Sequence, residues 1–350
     1  MFNFDSIVVK YLKDPVVSIE AFKAGEFDFM MVHIAKQWNR DLTGRRFDSG
    51  ELVKQTFPHK NNAGIQGFAF NTRRPLFSDR LVRRALGLVF DFEWTNKTLF
   101  FSQYTRNTSY FSNSTYAATG LPGADELKLL EPFRDLLPAE VFTQPLIAPT
   151  TDPPASLRAN MQQAKELLEQ AGWTIKDGAL VNGRGERFRF EILLADGSFE
   201  RVIAPYAANL SKMGIEVVYR TIDPALYADR IKSFDFDMAV TSFGQSQSPG
   251  NEQRDYWTSA AAERKGSRNI VGVKSPAVDA LVDAIIYAET QEALTTACRA
   301  LDRVLWHGYY LVPNWYLGNH RLAYAAKLKH PERLPLYYSH EQWLDTWWTE

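Results

Sequence analysis

Apolar positions recur along the chain at helical and at strand spacing, and they divide it into readable segments. Val16, Val17, Ile19, Ala21 and Phe22 form a helical run that stops at Gly25, a residue suited to the left-handed cap position. Residues 27–30 (Phe-Asp-Phe-Met) read as a short strand. Residues 36–62 are polar and weakly periodic, which predicts loop with fragments of structure. From 64 to 71 the apolar residues Ile65, Phe68 and Phe70 predict an extended segment. Ser78 is placed to cap a helix whose stripe is Leu81, Val82, Ala85, Leu86, Val89 and Phe90. Residues 101–155 carry seven prolines and few long apolar runs, so they read as a surface excursion with short helices, rimming a site.

The centre is the clearest part. Ser156 opens a helix carrying Ala164, Leu167, Leu168 and Ala171 and ended by Gly172. The turn Asn182-Gly183-Arg184-Gly185 precedes a strand in which Phe188, Phe190, Ile192 and Leu194 alternate with polar residues. A helix over about 198–213 ends at Gly214, and residues 215–219 form the next strand. Asp223-Pro224 is an N-cap followed by a proline in the first helical position, and a third strand follows at 236–241. Strands alternating with helices at this spacing predict at least three parallel strands within 187–242, and an α/β fold. Two more helices follow Pro276. Cys298 falls on the buried stripe of the second and reads as a small core residue. Residues 311–316 read as strand. One local echo, 23–30 against 232–238, passes both times from a helix into a Phe-Asp-Phe strand, consistent with two similar lobes.

Length and composition narrow the classes. The chain has 350 residues, enough for two domains, with 40 basic against 41 acidic side chains and a net charge of −1, so it carries no overall basic field for nucleic acid. No run approaches the ~18 apolar residues of a membrane span. Aromatic residues are abundant, with nine Trp, fifteen Tyr and twenty-three Phe, and such side chains line recognition clefts as well as cores. One cysteine excludes an internal disulfide and a cysteine-based zinc site. The segment 7–11 alternates at once, with neither a charged n-region nor an apolar h-region before it. The opening therefore reads as the middle of a fold whose N-terminal part is absent, and the chain as written is expected to stay in the cytoplasm.

Catalytic signatures are absent: there is no Gly-x-Ser-x-Gly elbow, no phosphate loop, no dinucleotide fingerprint and no His-x-x-x-His pair, so no cofactor or metal is expected. Glu252 and Asp255 form an imaginable acid/base pair, with ligand-contacting or surface acids as the simpler reading. The segment Ser242-Phe243-Gly244-Gln245-Ser246-Gln247-Ser248-Pro249-Gly250-Asn251-Glu252-Gln253-Arg254-Asp255-Tyr256-Trp257 stands out. It leaves the C-terminal end of the third consecutive strand, where open α/β sheets place their ligands. Its amides and Arg254 are suited to carbonyls or a carboxylate, its acids to an amine, and Tyr256 and Trp257 to flat apolar walls.

These residues resemble the C-terminal part of the family 5 extracellular solute-binding proteins that serve peptide ABC importers. The likeness is strongest to the YejA-type branch, associated with oligopeptide and microcin C uptake. It rests on Ala21-Phe22-Lys23-Ala24-Gly25-Glu26-Phe27-Asp28, on Gly67-Phe68-Ala69-Phe70-Asn71-Thr72-Arg73-Arg74-Pro75-Leu76-Phe77, on Val82-Arg83-Arg84-Ala85-Leu86 and on Asp91-Phe92-Glu93-Trp94-Thr95-Asn96. Ser248 to Trp257, Leu301-Asp302-Arg303-Val304-Leu305 and Val312-Pro313-Asn314-Trp315-Tyr316 complete it. The resemblance implies a periplasmic-binding-protein-like α/β fold of type 2, cluster C, with one complete lobe and part of the other. By it, 1–64 is partial lobe one, 65–308 is lobe two, and 309–350 returns to lobe one.

The family's role would then be a non-catalytic, periplasmic substrate-binding component that holds a peptide or peptide-like solute between lobes. It would deliver that solute to an inner-membrane ABC permease, and complete members would be monomers. Asn71, Arg73, Phe243, Gln245, Ser246, Asn251, Glu252, Arg254, Asp255, Tyr256, Trp257 and Trp315 are the expected ligand-binding residues, with the 243–257 loop and the segments around Asn71 and Trp315 facing one cleft. Many peptide-binding relatives carry aromatic-x-x-Asp at this loop, the Asp pairing with the peptide amine. Here the run is Phe243-Gly244-Gln245-Ser246, which leaves Glu252 or Asp255 as replacement charges. Competing readings are a saccharide or other polar solute, and a hydrolase using Glu252 and Asp255.

Overall fold

The computed structural model describes residues 3–349. In chain order its principal strands are Phe29–Met31 (β1), Leu52–Pro58 (β2), Ile65–Phe70 (β3), Arg189–Leu194 (β4), Glu216–Thr221 (β5), Met238–Phe243 (β6), Leu311–Pro313 (β7) and Asn319–Ala325 (β8). The principal helices are Pro15–Ala24 (α1), Arg80–Leu88 (α2), Leu157–Gln170 (α3), Glu200–Ser211 (α4), Pro224–Lys232 (α5), Glu252–Trp257 (α6), Pro276–Ile286 (α7) and Gln291–Gly308 (α8). Two compact units result. The first takes the described residues up to Asn61, Asn96–Thr105 and those from Leu317 on, and the second takes Asn62–Thr95 and Arg106–Tyr316. Residues 96–105 thus group with the first unit and 309–316 with the second.

In the first unit, β8 lies between β1 and β2 in a three-stranded antiparallel sheet. The two-residue period of β8 sends Leu322 and Tyr324 to a cluster with Phe57, Trp343 and Trp347. Ala323 and Ala325 face the other way, to Ile19, Phe22, Val32, Leu42 and Leu52. Helix α1 begins where the Asp14 carboxylate accepts the Val16 and Val17 N–H groups and ends at Gly25, whose φ of 83° lets its N–H reach back to the last turn. The polar stretch 36–62 is not the expected loop. It contains β2, paired with β8 from Leu52↔Ala325 to Pro58↔Asn319. Only Leu52 and Phe57 of β2 are buried, so its sequence lacks the alternation by which strands are recognised, and its order comes from a partner distant in the chain.

The second unit is built on a five-stranded sheet in the order β7-β3-β6-β4-β5. β4 pairs in parallel with both β5 and β6, and α4 and α5 make the crossovers, as the alternation predicted. β3 and β7 add antiparallel strands on the other side. Ser156 caps α3 through the Ala159 N–H, and Asp223 caps α5. The cap of α2 is Asp79, which accepts the Leu81 N–H at 2.7 Å, and not Ser78, whose hydroxyl closes a separate turn on the Pro75 carbonyl. A carboxylate accepts a backbone N–H more strongly than a hydroxyl does, so the competition between neighbours goes to Asp79.

Residues 106–155 are not a surface excursion, because Tyr110, Phe111, Tyr116, Leu130, Val141 and Leu146 are buried in the core with α7 and α8. Two buried residues of α8 hold this stretch. Asp302 accepts the Ser109 hydroxyl and the Tyr110 and Ala118 N–H groups. Arg303 pairs with Glu126 at 2.5 Å and donates to the Gly120 and Thr119 carbonyls. A buried charge is tolerable only with such a full set of partners. At the C-terminus of α8, Arg83 donates to the Gly308, Tyr309, Phe77 and Ser78 carbonyls, satisfying acceptors that the helix leaves open. Cys298 is buried, as expected from its stripe.

Candidate functional site

The C-terminal ends of β4 and β6 open onto two loops of the second unit, 195–199 and 244–251. The start of β3 lies beside them, since Ile65 pairs with Phe243. Contact there is tight: a Cβ on Gly64 would lie 2.1 Å from the Phe243 carbonyl oxygen. Asn62 extends the junction, its Nδ2 donating to the Ser246 carbonyl and its Oδ1 accepting the Gly64 N–H. Asn314, just after β7, joins the same edge through its N–H to the Gln66 carbonyl, and its own carbonyl accepts the Asn107 N–H.

The loop is braced from inside by its aromatic residues. Trp257 is 0% exposed, its ring 4.5 Å from that of Phe243 and 5.2 Å from that of Tyr110, and its indole N–H donates to Gln253 Oε1. Tyr256 is also buried and donates to the Gly244 carbonyl. These rings therefore pack the loop onto the core and do not form the expected flat walls. Phe243, likewise buried, belongs to the same brace.

The charged side chains of the loop have local partners. Glu252 Oε1 accepts the Gly250 N–H at 3.0 Å and the Ser246 hydroxyl at 3.2 Å. Asp255 pairs with Arg264 and accepts the Arg268 N–H. Arg254 turns onto α7, 3.0 Å from Asp283. The two acids are thus engaged in different places and do not converge on one reacting position, as an acid/base pair must. Asn251 is exposed and Gln245 half-buried.

Asn71 and Arg73 lie at the other end of the sheet. β3 runs antiparallel to β6, so Phe70 pairs with Met238 while Ile65 pairs with Phe243. The Asn71 amide donates to the Phe234 and Phe236 carbonyls. Arg73 donates to the carbonyls of Ala262, Asn269 and Ile270, its guanidinium 3.7 Å from the Phe234 ring centroid. Burial lowers the Arg73 pKa to about 10, a value at which it remains charged at neutral pH. The expected common cleft for Asn71 and the 243–257 loop is therefore not formed within this unit; Asn71 and Arg73 are structural.

Trp315 follows Asn314 at the edge that carries the 244–251 loop. It is half-buried and stacks on Phe199 with centroids 6.0 Å apart and planes at 19°, with Phe90 and Phe92 behind. Phe199, absent from the sequence-based set, is also half-buried. The signal for it was available: it ends the loop after β4, the same topological position that singled out the loop after β6. Between these rings and the loop sits a group of amides with open valences. Neither Oδ1 nor Nδ2 of the wholly buried Asn314 has a hydrogen-bond partner, nor does Gln245 Nε2 or Asn107 Oδ1. Buried amides left open cost about 1–3 kcal/mol each.

A family model described as bacterial extracellular solute-binding proteins, family 5 middle, matches residues 2–264. The uncharacterized protein y4wM of Sinorhizobium fredii is 42% identical over 338 residues, covering 96% of this chain and 51% of its own length. The probable peptide-binding protein YejA of Agrobacterium fabrum is 39% identical over 355 residues, covering 100% of this chain and 57% of its own. The chain spans about half the length of the curated relatives it matches. The oligopeptide-binding protein AppA from Bacillus subtilis, solved in complex with a nonapeptide, superposes with a TM-score of 0.71 at 18% identity, covering 95% of this chain and 58% of that one. That likeness shows the same α/β fold. The chain belongs to the family 5 bacterial extracellular solute-binding proteins, in the YejA branch.

Proposed function

We propose that this chain is part of the periplasmic substrate-binding component of an ABC importer, and that it holds a peptide or peptide-like solute without chemical change. The second unit then corresponds to lobe two and the first to the portion of lobe one present in this chain. The observation that carries the reading is the half-buried Trp315–Phe199 stack at the strand ends that also carry the exposed Ser246 and Asn251. The Asn251 amide and the Ser246 hydroxyl suit the donors and acceptors of a peptide backbone, and flat rings accept apolar side chains. The reading without chemical change is supported by Glu252 and Asp255 serving separate partners. Glu252 keeps Oε1 on the loop's own N–H and hydroxyl groups, and Ser246, Gln245 and Asn251 are assigned to neutral parts of the ligand. An inner-membrane ABC permease is the partner that such a component requires.

A second reading, a saccharide, is favoured by one specific observation: half-buried, nearly parallel rings flanked by amides also suit a sugar face. Native mass spectrometry of the protein purified without added ligand separates the two. A co-purified mass that fragments as a peptide supports the first reading, and one that fragments as glycan supports the second. Turnover of the released ligand by the protein would overturn both.

A further inference from the structure

Beside β7, the edge strand of the five-stranded sheet, the second unit holds a cavity of about 520 Å³. This is the size of a small-ligand pocket. Its lining is largely apolar, with Leu311 of β7 and Trp306 at the end of α8 buried and Ile147 exposed. Pro313 also lines it, and a proline on an edge strand has no N–H to offer an incoming strand, so this edge is unsuited to β-addition. On α2 the wall is left open at Gly87, where an added Cβ would meet nothing within 4 Å. None of the lining residues belongs to the amide edge or to the Trp315–Phe199 stack.

Two features make this more than a packing gap. His307 lines the cavity and is 2% exposed; the Gln144 backbone engages its ring, and at most one of its two nitrogens is satisfied in that way. Buried polar groups are normally paired. Positive charge also exceeds negative charge at this end of the cavity. Arg84 lines it and lies 3.6 Å from Glu140, but that carboxylate is held more closely by Arg80 at 2.8 Å. Arg83 is consumed by backbone carbonyls, which carry no net charge.

We propose that this cavity is a second binding site, for a small amphipathic carboxylate. The apolar chain lies along Leu311, Trp306 and Ile147, and the carboxylate is held by Arg84. Charge complementarity selects the carboxylate over an amine, and the apolar lining selects a chain over a small polar anion such as acetate.

Calorimetric titration with octanoate, and with octanol and octylamine as neutral and cationic controls, tests the assignment on the whole chain. Octanoate is expected to bind saturably at one site, with octanol at least roughly tenfold weaker and octylamine not binding. Arg84→Gln should weaken octanoate about tenfold while leaving octanol unchanged. Gly87→Leu projects a side chain into the open space, and should abolish octanoate binding while holding or raising the melting temperature. Trp315→Ala should leave octanoate binding intact. Equal binding of octanol and octanoate would overturn the head-group assignment. An unaltered octanoate titration in a folded Gly87→Leu variant, or no saturable binding to the parent chain, would overturn the site.

Discussion

The carboxylate of Asp302 accepts the hydroxyl of Ser109 at 2.6 Å, across 193 residues of sequence. The Tyr110 and Ala118 N–H groups add bonds of 2.7 and 2.9 Å, and the Ser109 oxygen itself accepts the Phe111 N–H. One charged group in α8 thereby fixes the path of a segment that has little regular structure. Burial pushes the Asp302 pKa up to about 6 against the opposing effect of these bonds.

Asp302→Asn retains the shape but turns an NH2 toward N–H groups, and is expected to destabilise the second unit by about 1–3 kcal/mol at pH 7 in urea melts. The pH dependence has a definite sign. A carboxyl whose folded pKa is about 6, above its ordinary 3.8, binds protons more tightly in the folded state. Its contribution to stability therefore falls as pH rises from about 4 to 6. The difference in stability between parent and Asn variant should narrow over that window, and a difference that widens would show the carboxyl to be ionised throughout.

Arg73→Lys tests the assignment of Arg73 to structure. The planar fork reaches three carbonyls from different turns, and a single ammonium cannot. Stability is expected to fall by at least about 2 kcal/mol, with ligand affinity in the folded protein unchanged. A stable variant with weakened affinity would return Arg73 to the binding site.

The rings of His59 and His320 lie 4.3 Å apart in the first unit. Burial, together with the charge of His320, lowers the His59 pKa to about 4. A histidine depressed in the folded state is protonated preferentially on unfolding, so its stabilising contribution is complete above about pH 6.5 and is lost as pH falls toward 4. His59→Gln should flatten this acid limb in thermal melts followed from pH 7 to 4. An unchanged limb would assign the acid sensitivity to other groups, of which His307, also depressed to about 4, is the first to examine.

The parallel strands and their capped crossovers were legible in the sequence because their signals are local: alternation in 188–194, Asp223-Pro224, and glycines closing helices. β2 was not legible, because Lys54, Gln55 and Thr56 are exposed and the strand is specified by β8. Position at a strand end drew attention to 243–257, but residue type misled within it. Tyr256 and Trp257 look like recognition residues, whereas the helical turn at α6 directs both inward. Asn71 misled for a topological reason, since a single antiparallel strand places its two ends at opposite edges of the sheet. The open amides of Asn314 and Gln245 are visible only once hydrogen bonds are accounted for.

Comparing Trp257→Ala with Trp315→Ala separates brace from binding surface. Removing Trp257 leaves a hole against Phe243 and Tyr110 and frees Gln253, whose Nε2 donates to Gln245 Oε1 at 2.6 Å. The expected loss is about 3–5 kcal/mol of stability, the range for a large buried aromatic. Any effect on affinity should arrive indirectly, through a loosened Gln245. Trp315 is half-buried, and its removal should lower stability much less while removing a stacking surface worth about 0.5–1.5 kcal/mol beyond its buried area. Urea melts, with titration of the ligand identified by mass spectrometry, read both quantities on both variants. A Trp315→Ala protein that binds normally but unfolds easily would place that ring in the core, and the ligand edge proposed for the second unit would lose its wall.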